Sequence, residues 1–229
     1  MLRLHAVPAA LIIVASGWLH AQDATVSGRV TVVHHSKKDH ASADVVVSLT
    51  SAKSNETAPP GPTLRFVQKD KRFMPHLLAV TPGTEIEFPN MDPYFHDVFS
   101  IYRGKPFDLG LYESGAVRKV KFTQPGVSFI FCNIHPEMSA AVVVLRTPHF
   151  AITGRDGFFK IGHVPPGTYK LEVWAEAASE AELASLARDV EVSTGDRPPI
   201  LITVHSSAVS REHLNKYGEA YPPTKTDKY

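Results

Sequence analysis

The single cysteine of this chain constrains its fold most, because two further metal-binding side chains follow it at fixed intervals. The segment reads Cys132-Asn-Ile-His135-Pro-Glu-Met138, so thiol, imidazole and thioether stand three residues apart. The flanking residues 127–131 and 141–145 are mostly apolar and rich in β-branched and aromatic side chains, which is typical of strands. A short loop between two strands can direct all three side chains at one point. A lone cysteine is an unpaired thiol, an intermolecular link or a metal ligand.

A fourth donor has to come from another part of the chain, and His96 at the start of a further predicted strand can supply it. Two imidazoles, a thiolate and a thioether favour copper, because the sulfur donors are soft and imidazole also suits Cu(II). The predicted site has His96, Cys132 and His135 in a plane, with Met138 as a weak axial ligand. Glu137 is an alternative axial donor. A buried free thiol and a methionine that only fills the core are the competing interpretations.

The remaining sequence predicts an all-β chain with one short helix. Breaker-rich turns such as Pro82-Gly83 and Pro125-Gly126 separate short apolar segments at the spacing of a sandwich or barrel. Between residues 62 and 146 we expect strands at 64–68, 77–80, 84–89, 96–101, 116–122, 126–132 and 140–146. Ser179 and Glu182 have the spacing of a capping box, which predicts a helix over 179–188.

Residues 64–146 resemble the cupredoxin family, and the Cys132-to-Met138 loop is closer in length to that of amicyanin than to that of plastocyanin. Gln68, Phe73 with Pro75, Pro82-Gly83 and Asn90 before His96 are further points of similarity. The resemblance implies a Greek-key β-barrel or sandwich over 62–146 that holds one copper ion cycling between Cu(I) and Cu(II).

The residue after the first histidine ligand departs from the family pattern. Most cupredoxins have asparagine there, whereas this chain has Asp97. A carboxylate near the site favours Cu(II), so the effect of Asp97 on the reduction potential stays open. Side chains around the ligands tune such sites, and we expect Asp97 and Asn133 to take that role.

The residues on either side of this region resemble a carboxypeptidase regulatory-like, prealbumin-like β-sandwich. The similarity rests on the run from Thr153 to Ile161 and the run from Val164 to Val173. The first two strands of such a domain are missing from this block, but matching segments occur at 28–30 and 43–49. We therefore expect a discontinuous sandwich of residues 24–58 and 147–204, with the cupredoxin region inserted in it, and a poorly ordered polar tail at 205–229.

The N-terminus and the charge indicate where the chain works. Residues 1–21 combine Arg3, a short apolar run and a small exit residue, which is typical of a secretory signal peptide. The chain has 24 basic and 23 acidic residues; loss of residues 1–21 removes only Arg3 and leaves 23 of each. Such balance argues against a nucleic-acid partner. No later segment is long and apolar enough to span a membrane. We expect a periplasmic or secreted protein.

These features together predict a blue-copper protein that passes single electrons between redox partner proteins. The alternative is a copper carrier or chaperone without a redox role, which the cluster of His34, His35 and His40 slightly favours. We expect no enzyme activity, because a single type 1 site offers no open position for substrate. An apolar rim around His135 predicts an electron-transfer docking patch made of four residues: Tyr94, Phe95, Ile134 and Pro136.

Overall fold

The computed structural model describes residues 23–33, 44–51, 58–101, 104–195, 197–207 and 213–221. The expected signal segment 1–21 and the loop with His34, His35 and His40 lie outside these ranges. Seventeen strands and one short helix make up the regular structure of the described part. The expectation of an all-β chain is therefore confirmed. In the described ranges, no helix combines the length and apolar character needed to cross a membrane.

One pair of sheets encloses the first core. A three-stranded sheet consists, in spatial order, of Phe158–Val164 (β14), Ala24–Val33 (β1) and Ile200–His205 (β17). A four-stranded sheet consists, in spatial order, of Phe150–Ile152 (β13), Val46–Ser51 (β2), Gly167–Trp174 (β15) and Arg188–Val192 (β16). Strand β1 alternates strictly between buried and exposed residues, so one of its faces covers the core. Val30, Leu49, Leu171 and Val204 are fully buried between the two sheets.

Gly28 lies where β1 passes closest to its neighbours. A Cβ atom at this position would be 2.2 Å from the backbone oxygen of Ile200 and 2.5 Å from the ring of Phe159. Only glycine fits this approach, which explains the Gly-x-Val pattern of the first strand.

A second pair of sheets encloses the core next to the predicted metal loop. The smaller sheet has the order β10-β7-β3 and the larger one β6-β12-β11-β8-β9, beside a hairpin of β4 and β5. The bounds in chain order are Leu64–Arg65 (β3), Val67–Lys69 (β4), Arg72–Met74 (β5), Leu77–Val80 (β6), Thr84–Pro89 (β7), His96–Ser100 (β8), Phe107–Tyr112 (β9), Val117–Phe122 (β10), Gly126–Cys132 (β11) and Ser139–Val144 (β12). Phe66, Phe88, Phe122 and Ile130 are fully buried in this core.

The two sandwiches are joined by a third apolar cluster. In β12, Val142 faces the second core while Ala141 and Val143 face outward. There they meet Val46 of β2, whose neighbour Val47 lies in the first core. Both strands are therefore covered on both faces, which explains why they read as continuous apolar runs rather than as alternating ones.

The pairing of the N-terminal strands bears on how the chain is divided. Strand β1 pairs with β14 and β17, and strand β2 pairs with β13 and β15, all of which follow residue 149. Residues 64–144 form the other sheets in between. This pairing supports the proposal of a discontinuous sandwich with an inserted region; the exact division at 24–58, 62–146 and 147–204 stays a prediction.

Two strands of the second sandwich have no counterpart in the sequence prediction. Strand β9 is interrupted by Gly110, which has a φ of 65°, and its partner β8 contains an irregular register between Asp97 and Phe99. Apolar residues alternate at Phe107, Leu109 and Leu111, but glycine is depleted in strands and indicates a turn. Strand β5 is only three residues long. The helix α1, Glu180–Leu186, is shorter than expected, and Ser179 caps it through Glu182 N.

An ion pair between His76 and Glu176 links the two sandwiches. His76 Nε2 is 2.6 Å from Glu176 Oε2, and His76 Nδ1 donates to the Ser139 carbonyl oxygen at 3.1 Å. Because both ring nitrogens face acceptors, the doubly protonated imidazolium is favoured. The hydrogen bond to Glu176 raises the pKa of His76 above its ordinary value of 6.5, against the opposing effect of burial.

Replacing Glu176 with glutamine should destabilise the apoprotein most in mild acid. A raised histidine pKa stabilises the fold fully below the ordinary value, and this contribution is lost as pH rises through the folded-state pKa. The pair is partly exposed, so we expect a loss of less than about 1 kcal/mol at low pH and a smaller one in mild alkali. Urea unfolding at both pH values measures it, with Glu113→Gln as control. A difference that grows with pH would contradict the assignment.

Candidate metal centre

Strand pairing brings His96 and Cys132 together. His96 is the first residue of β8 and Cys132 is the last residue of β11, and the two strands are antiparallel neighbours in which Cys132 lies opposite Val98. Both side chains are fully buried. Since alternate residues of a strand share a face, His96 and Val98 point to the same interior as Cys132. Two residues that are 36 positions apart in sequence thus meet at one end of the sheet.

The loop from Cys132 to Met138 is closed by its own backbone. Cys132 N donates to Met138 O at 3.3 Å, and Met138 N donates to His135 O at 3.0 Å. Asn133 N donates to Asp97 O at 2.8 Å, which ties the loop to β8. The loop is therefore held on both sides, and His135 is turned back toward Cys132.

Three donor atoms face one another across a small gap. Cys132 Sγ is 3.6 Å from His96 Nδ1 and 3.5 Å from His135 Nδ1, and the two Nδ1 atoms are 3.2 Å apart. The three atoms form the one group of metal-binding side chains found in the described residues. The two histidines offer the same ring nitrogen, which leaves each Nε2 for other partners.

This triangle has the size that one metal ion requires. Metal–nitrogen bonds of about 2.0–2.1 Å and a metal–sulfur bond of about 2.3 Å would place donors about 3.5 to 3.8 Å apart in a trigonal plane. The observed distances are smaller by about 0.1 to 0.4 Å, a gap that small side-chain rotations close. The residues present thus fit a single ion bound by two imidazoles and a thiolate.

Burial distinguishes the two candidate axial donors. Met138 is fully buried and belongs to the same apolar cluster as Cys132. Glu137 is exposed to solvent. A buried thioether in the cluster that contains Cys132 is suited to the axial role, whereas the Glu137 carboxylate is exposed to solvent. The structure thus favours Met138, and the axial ligand itself stays a proposal.

Burial also sets the protonation of the donors. Desolvation raises the pKa of the Cys132 thiol, although backbone hydrogen bonds from the loop oppose it. Desolvation, together with the neighbouring His96, lowers the pKa of His135. Near neutral pH, His135 is therefore the neutral imidazole that binds metals, whereas the thiol must lose its proton when a metal binds.

Asp92 fixes the orientation of His96. Its Oδ2 atom accepts a hydrogen bond from His96 Nε2 at 2.9 Å and another from the Lys71 amide at 3.1 Å, while Oδ1 accepts from the Asp70 amide at 2.7 Å. Burial alone would raise the pKa of Asp92, but these hydrogen bonds hold it below its ordinary value. A carboxylate on the outer nitrogen fixes the tautomer that leaves Nδ1 free to bind metal. Asp92 is not among the site residues that the sequence predicts.

A local signal in the sequence could have revealed this role. Asn90 accepts from the Asp92 amide at 3.0 Å and donates to the Tyr94 carbonyl at 2.8 Å. Asparagine, aspartate and proline within four residues, as in Asn90-Met-Asp-Pro93, are typical of such a turn. The turn brings the carboxylate of Asp92, which precedes His96 by four residues, within hydrogen-bonding distance of the His96 ring.

Asp97 and Asn133 lie beside the site without facing the gap between the donors. Asp97 follows His96 in a strand, so its side chain points to the opposite face of the sheet. Asn133 Nδ2 donates to Asp97 Oδ2 at 3.1 Å, and Lys216 Nζ is 2.9 Å from the same oxygen. The two residues thus connect the ligand strand, the ligand loop and the C-terminal part of the chain. Their influence on a bound ion stays a prediction.

The expectation of a poorly ordered tail is wrong for residues 213–221. This segment folds on itself around Asn215, whose side-chain oxygen accepts from the amides of Tyr217 and Glu219. It packs against the metal loop: the ring of His213 stacks on Phe131 with centroids 4.0 Å apart. No local sequence pattern shows this, because the contacts join residues about 80 positions apart.

The predicted docking residues surround the solvent side of the site. The ring of Tyr94 lies 5.5 Å from those of both His96 and His135. Phe95 and Ile134 are 50% and 47% exposed, and Pro136 is half-buried. Of the three donors, only His135 reaches this surface, because His96 and Cys132 are fully buried.

Several solved structures resemble this chain. A purple cupredoxin from Nitrosopumilus maritimus is 22% identical with a TM-score of 0.33, over 36% of this chain and 99% of the other. An amicyanin is 16% identical with a TM-score of 0.34, over 43% of this chain and 98% of the other. The expected resemblance to cupredoxins is confirmed. The TM-scores are low, so these matches assign no activity. Neither a protein-family model nor a curated protein matches the chain.

One comparison corrects the expectation that the chain is not an enzyme. A copper-containing nitrite reductase from Thermus scotoductus SA-01 is 25% identical with a TM-score of 0.36, over 51% of this chain and 28% of that one. An enzyme is thus among the similar structures, and the expectation was wrong. The physical reason is that a ligand motif describes one metal site and carries no information on whether a reaction occurs elsewhere in the same protein.

Removing the carboxylate of Asp92 should weaken metal binding. Without it, His96 loses the acceptor that fixes its ring, and we expect the Asp92→Ala variant to bind copper about 10- to 100-fold more weakly. Competition with a chelator measures the affinity. Asp189→Ala, on the exposed strand β16, removes the same charge far from the site and should not change it. Equal affinities of the two variants would show that Asp92 has no part in binding.

Proposed function

We propose that this chain is a type 1 copper protein that transfers single electrons between redox partners outside the cytoplasm. The observation that supports this most is the triangle of His96 Nδ1, Cys132 Sγ and His135 Nδ1. Bound copper would supply one-electron chemistry, accepting an electron as Cu(II) and releasing it as Cu(I). The proposed ligands are these three side chains with Met138 as the axial donor, and one ion fits the gap.

The donor set favours copper over zinc. A structural zinc site usually has four strong ligands, and a catalytic one has three with an open position for water. Here the candidate fourth donor is Met138, which is fully buried in the same apolar cluster as Cys132. A thiolate with a nearby thioether suits Cu(I), and two imidazoles suit Cu(II) as well.

The surroundings of the donors suit rapid electron transfer. His96 is held by Asp92, and the loop is held by its own hydrogen bonds and by Asp97. Side chains held by such hydrogen bonds offer nearly the same geometry to Cu(I) and to Cu(II). The ligands would therefore rearrange little when the ion gains or loses an electron. The partly exposed His135 is the proposed exit for the electron.

Two features of the sequence support a location outside the cytoplasm. Residues 1–21 are typical of a secretory signal peptide. The one cysteine is buried at the proposed metal centre, so it is protected from forming a disulfide with another molecule in an oxidising compartment. The sandwich formed by the flanking strands is proposed to be a carboxypeptidase regulatory-like module that carries the copper region.

A copper carrier without a redox role receives less support. Transfer of a metal to another protein requires that the donor atoms be reached from outside. His96 and Cys132 are fully buried, so an incoming ligand meets only His135. The histidine-rich loop that favoured this alternative lies outside the described residues.

Copper reconstitution of the purified protein tests the proposal directly. We expect an intense blue absorption from charge transfer between the Cys132 thiolate and Cu(II), reversible on reduction and reoxidation. The Cys132→Ser variant should lose this absorption, because a hydroxyl does not replace the thiolate donor. A wild-type protein that stays colourless and retains tightly bound zinc would refute the function.

The apolar surface around His135 is proposed to be where redox partners dock. Placing a carboxylate there should slow electron self-exchange between two copies of the protein, because like charges then face each other. We expect Phe95→Glu to lower the self-exchange rate about tenfold or more, measured by NMR line broadening in mixtures of both oxidation states. Leu201→Glu, on the exposed face of β17, is the control. Equal rates for both variants would place the docking surface elsewhere.

A further inference from the structure

The C-terminal segment 213–221 makes four separate polar contacts around the metal loop. His213 Nε2 donates to the Pro136 carbonyl oxygen at 2.8 Å, and the Tyr221 hydroxyl donates to the Cys132 carbonyl oxygen at 2.8 Å. The Lys216 amide donates to Asn133 Oδ1 at 3.0 Å. The fourth contact is the ion pair of Lys216 Nζ with Asp97. These contacts reach the first two residues of the loop, Pro136 further along it, and the strand that supplies His96.

The segment covers a face of the large sheet that would otherwise be exposed next to the site. Phe99 and Phe131 point outward from β8 and β11, yet Phe99 is fully buried and Phe131 is 8% exposed. The stacked ring of His213 lies over Phe131. At the other end of this sheet, the same outer face is covered by the sandwich of the flanking strands.

Lys216 is the residue of this segment with the most contacts to charged groups. Its ammonium lies 2.9 Å from Asp97 and 3.1 Å from Asp108, and only 15% of its side chain is exposed. Asp97 stands directly after a proposed copper ligand and is itself almost buried. An uncompensated carboxylate there would favour Cu(II). The paired lysine therefore decides how much of that negative charge the site experiences.

We propose that segment 213–221 is an intrinsic cap of the copper site and that Lys216 is a positioning residue, whose ammonium anchors the cap to Asp97 and neutralises this carboxylate, so that the reduction potential is higher than it would be beside an unpaired Asp97. This inference rests on the proposed copper function. It gives the departure from asparagine at position 97 a physical role: the carboxylate anchors the cap, and the cap supplies the matching charge.

The reduction potential of the copper-loaded full-length protein tests the role of the charge. Lys216→Met should lower the potential, so that the Cu(I):Cu(II) ratio at a fixed applied potential falls about three- to tenfold. Lys216→Arg keeps the charge and should stay close to wild type. Lys119→Met removes an equally charged, ion-paired lysine from β10, remote from the site, and should leave the ratio unchanged. Equal ratios for Lys216→Met and Lys119→Met, or an equal fall with arginine, would overturn the proposal.

A second measurement separates this proposal from the proposed function, since it needs no metal. In the apoprotein, Lys216→Met should raise amide hydrogen exchange of the loop 132–138 and of Tyr217 by tenfold or more, whereas Lys119→Met should not. If the wild type binds no copper in a blue site, the function fails while the exchange result still decides whether Lys216 anchors the cap. Unchanged exchange in Lys216→Met would refute the cap.

Discussion

The convergence of His96 and Cys132 at one end of a single sheet is the constraint on which the site depends. Their strands are hydrogen-bonded neighbours, so backbone pairing fixes the separation of the two donors before any metal binds. The loop after Cys132 then has to supply only one more donor in the plane, and its internal hydrogen bonds turn His135 into place. Because the strands are covered on both faces, a shift of register between them would expose apolar residues and separate the two donors. The strand pairing that stabilises the sheet therefore also fixes the geometry of the site.

Charge is arranged around this apolar site in two separate places. Asp92 lies inside and its Oδ2 atom accepts from the Nε2 atom of His96, while its other oxygen accepts from the Asp70 amide. Asp97 lies on the opposite face of the same strand and is paired with Lys216. Each carboxylate would be costly to bury alone, and each has partners that offset this cost. The first controls orientation of a donor, whereas the second joins the C-terminal segment to the ligand strand.

Much of the local structure could be predicted from the sequence. Strands such as Leu77–Val80 and Thr84–Pro89 have clear breakers at both ends and were predicted with their observed bounds. The strand around Gly110 was not predicted, because glycine is depleted in strands and is more typical of a turn. The proposed ligands were identified because their chemical types and spacing are unusual in one short loop. Asp92 was missed because a single aspartate before a proline has many structural explanations.

The sequence by itself determined the proposed donors of the loop, the all-β class and the short loop that joins two of its strands, since these depend on residue type and on spacing within a few positions. Only the tertiary structure decided which groups surround the donors. The stacking of His213 on Phe131 and the pairing of Lys216 with Asp97 join residues far apart in the chain. Such contacts depend on how the sheets and the C-terminal segment pack against one another, and local periodicity or propensity does not carry that information.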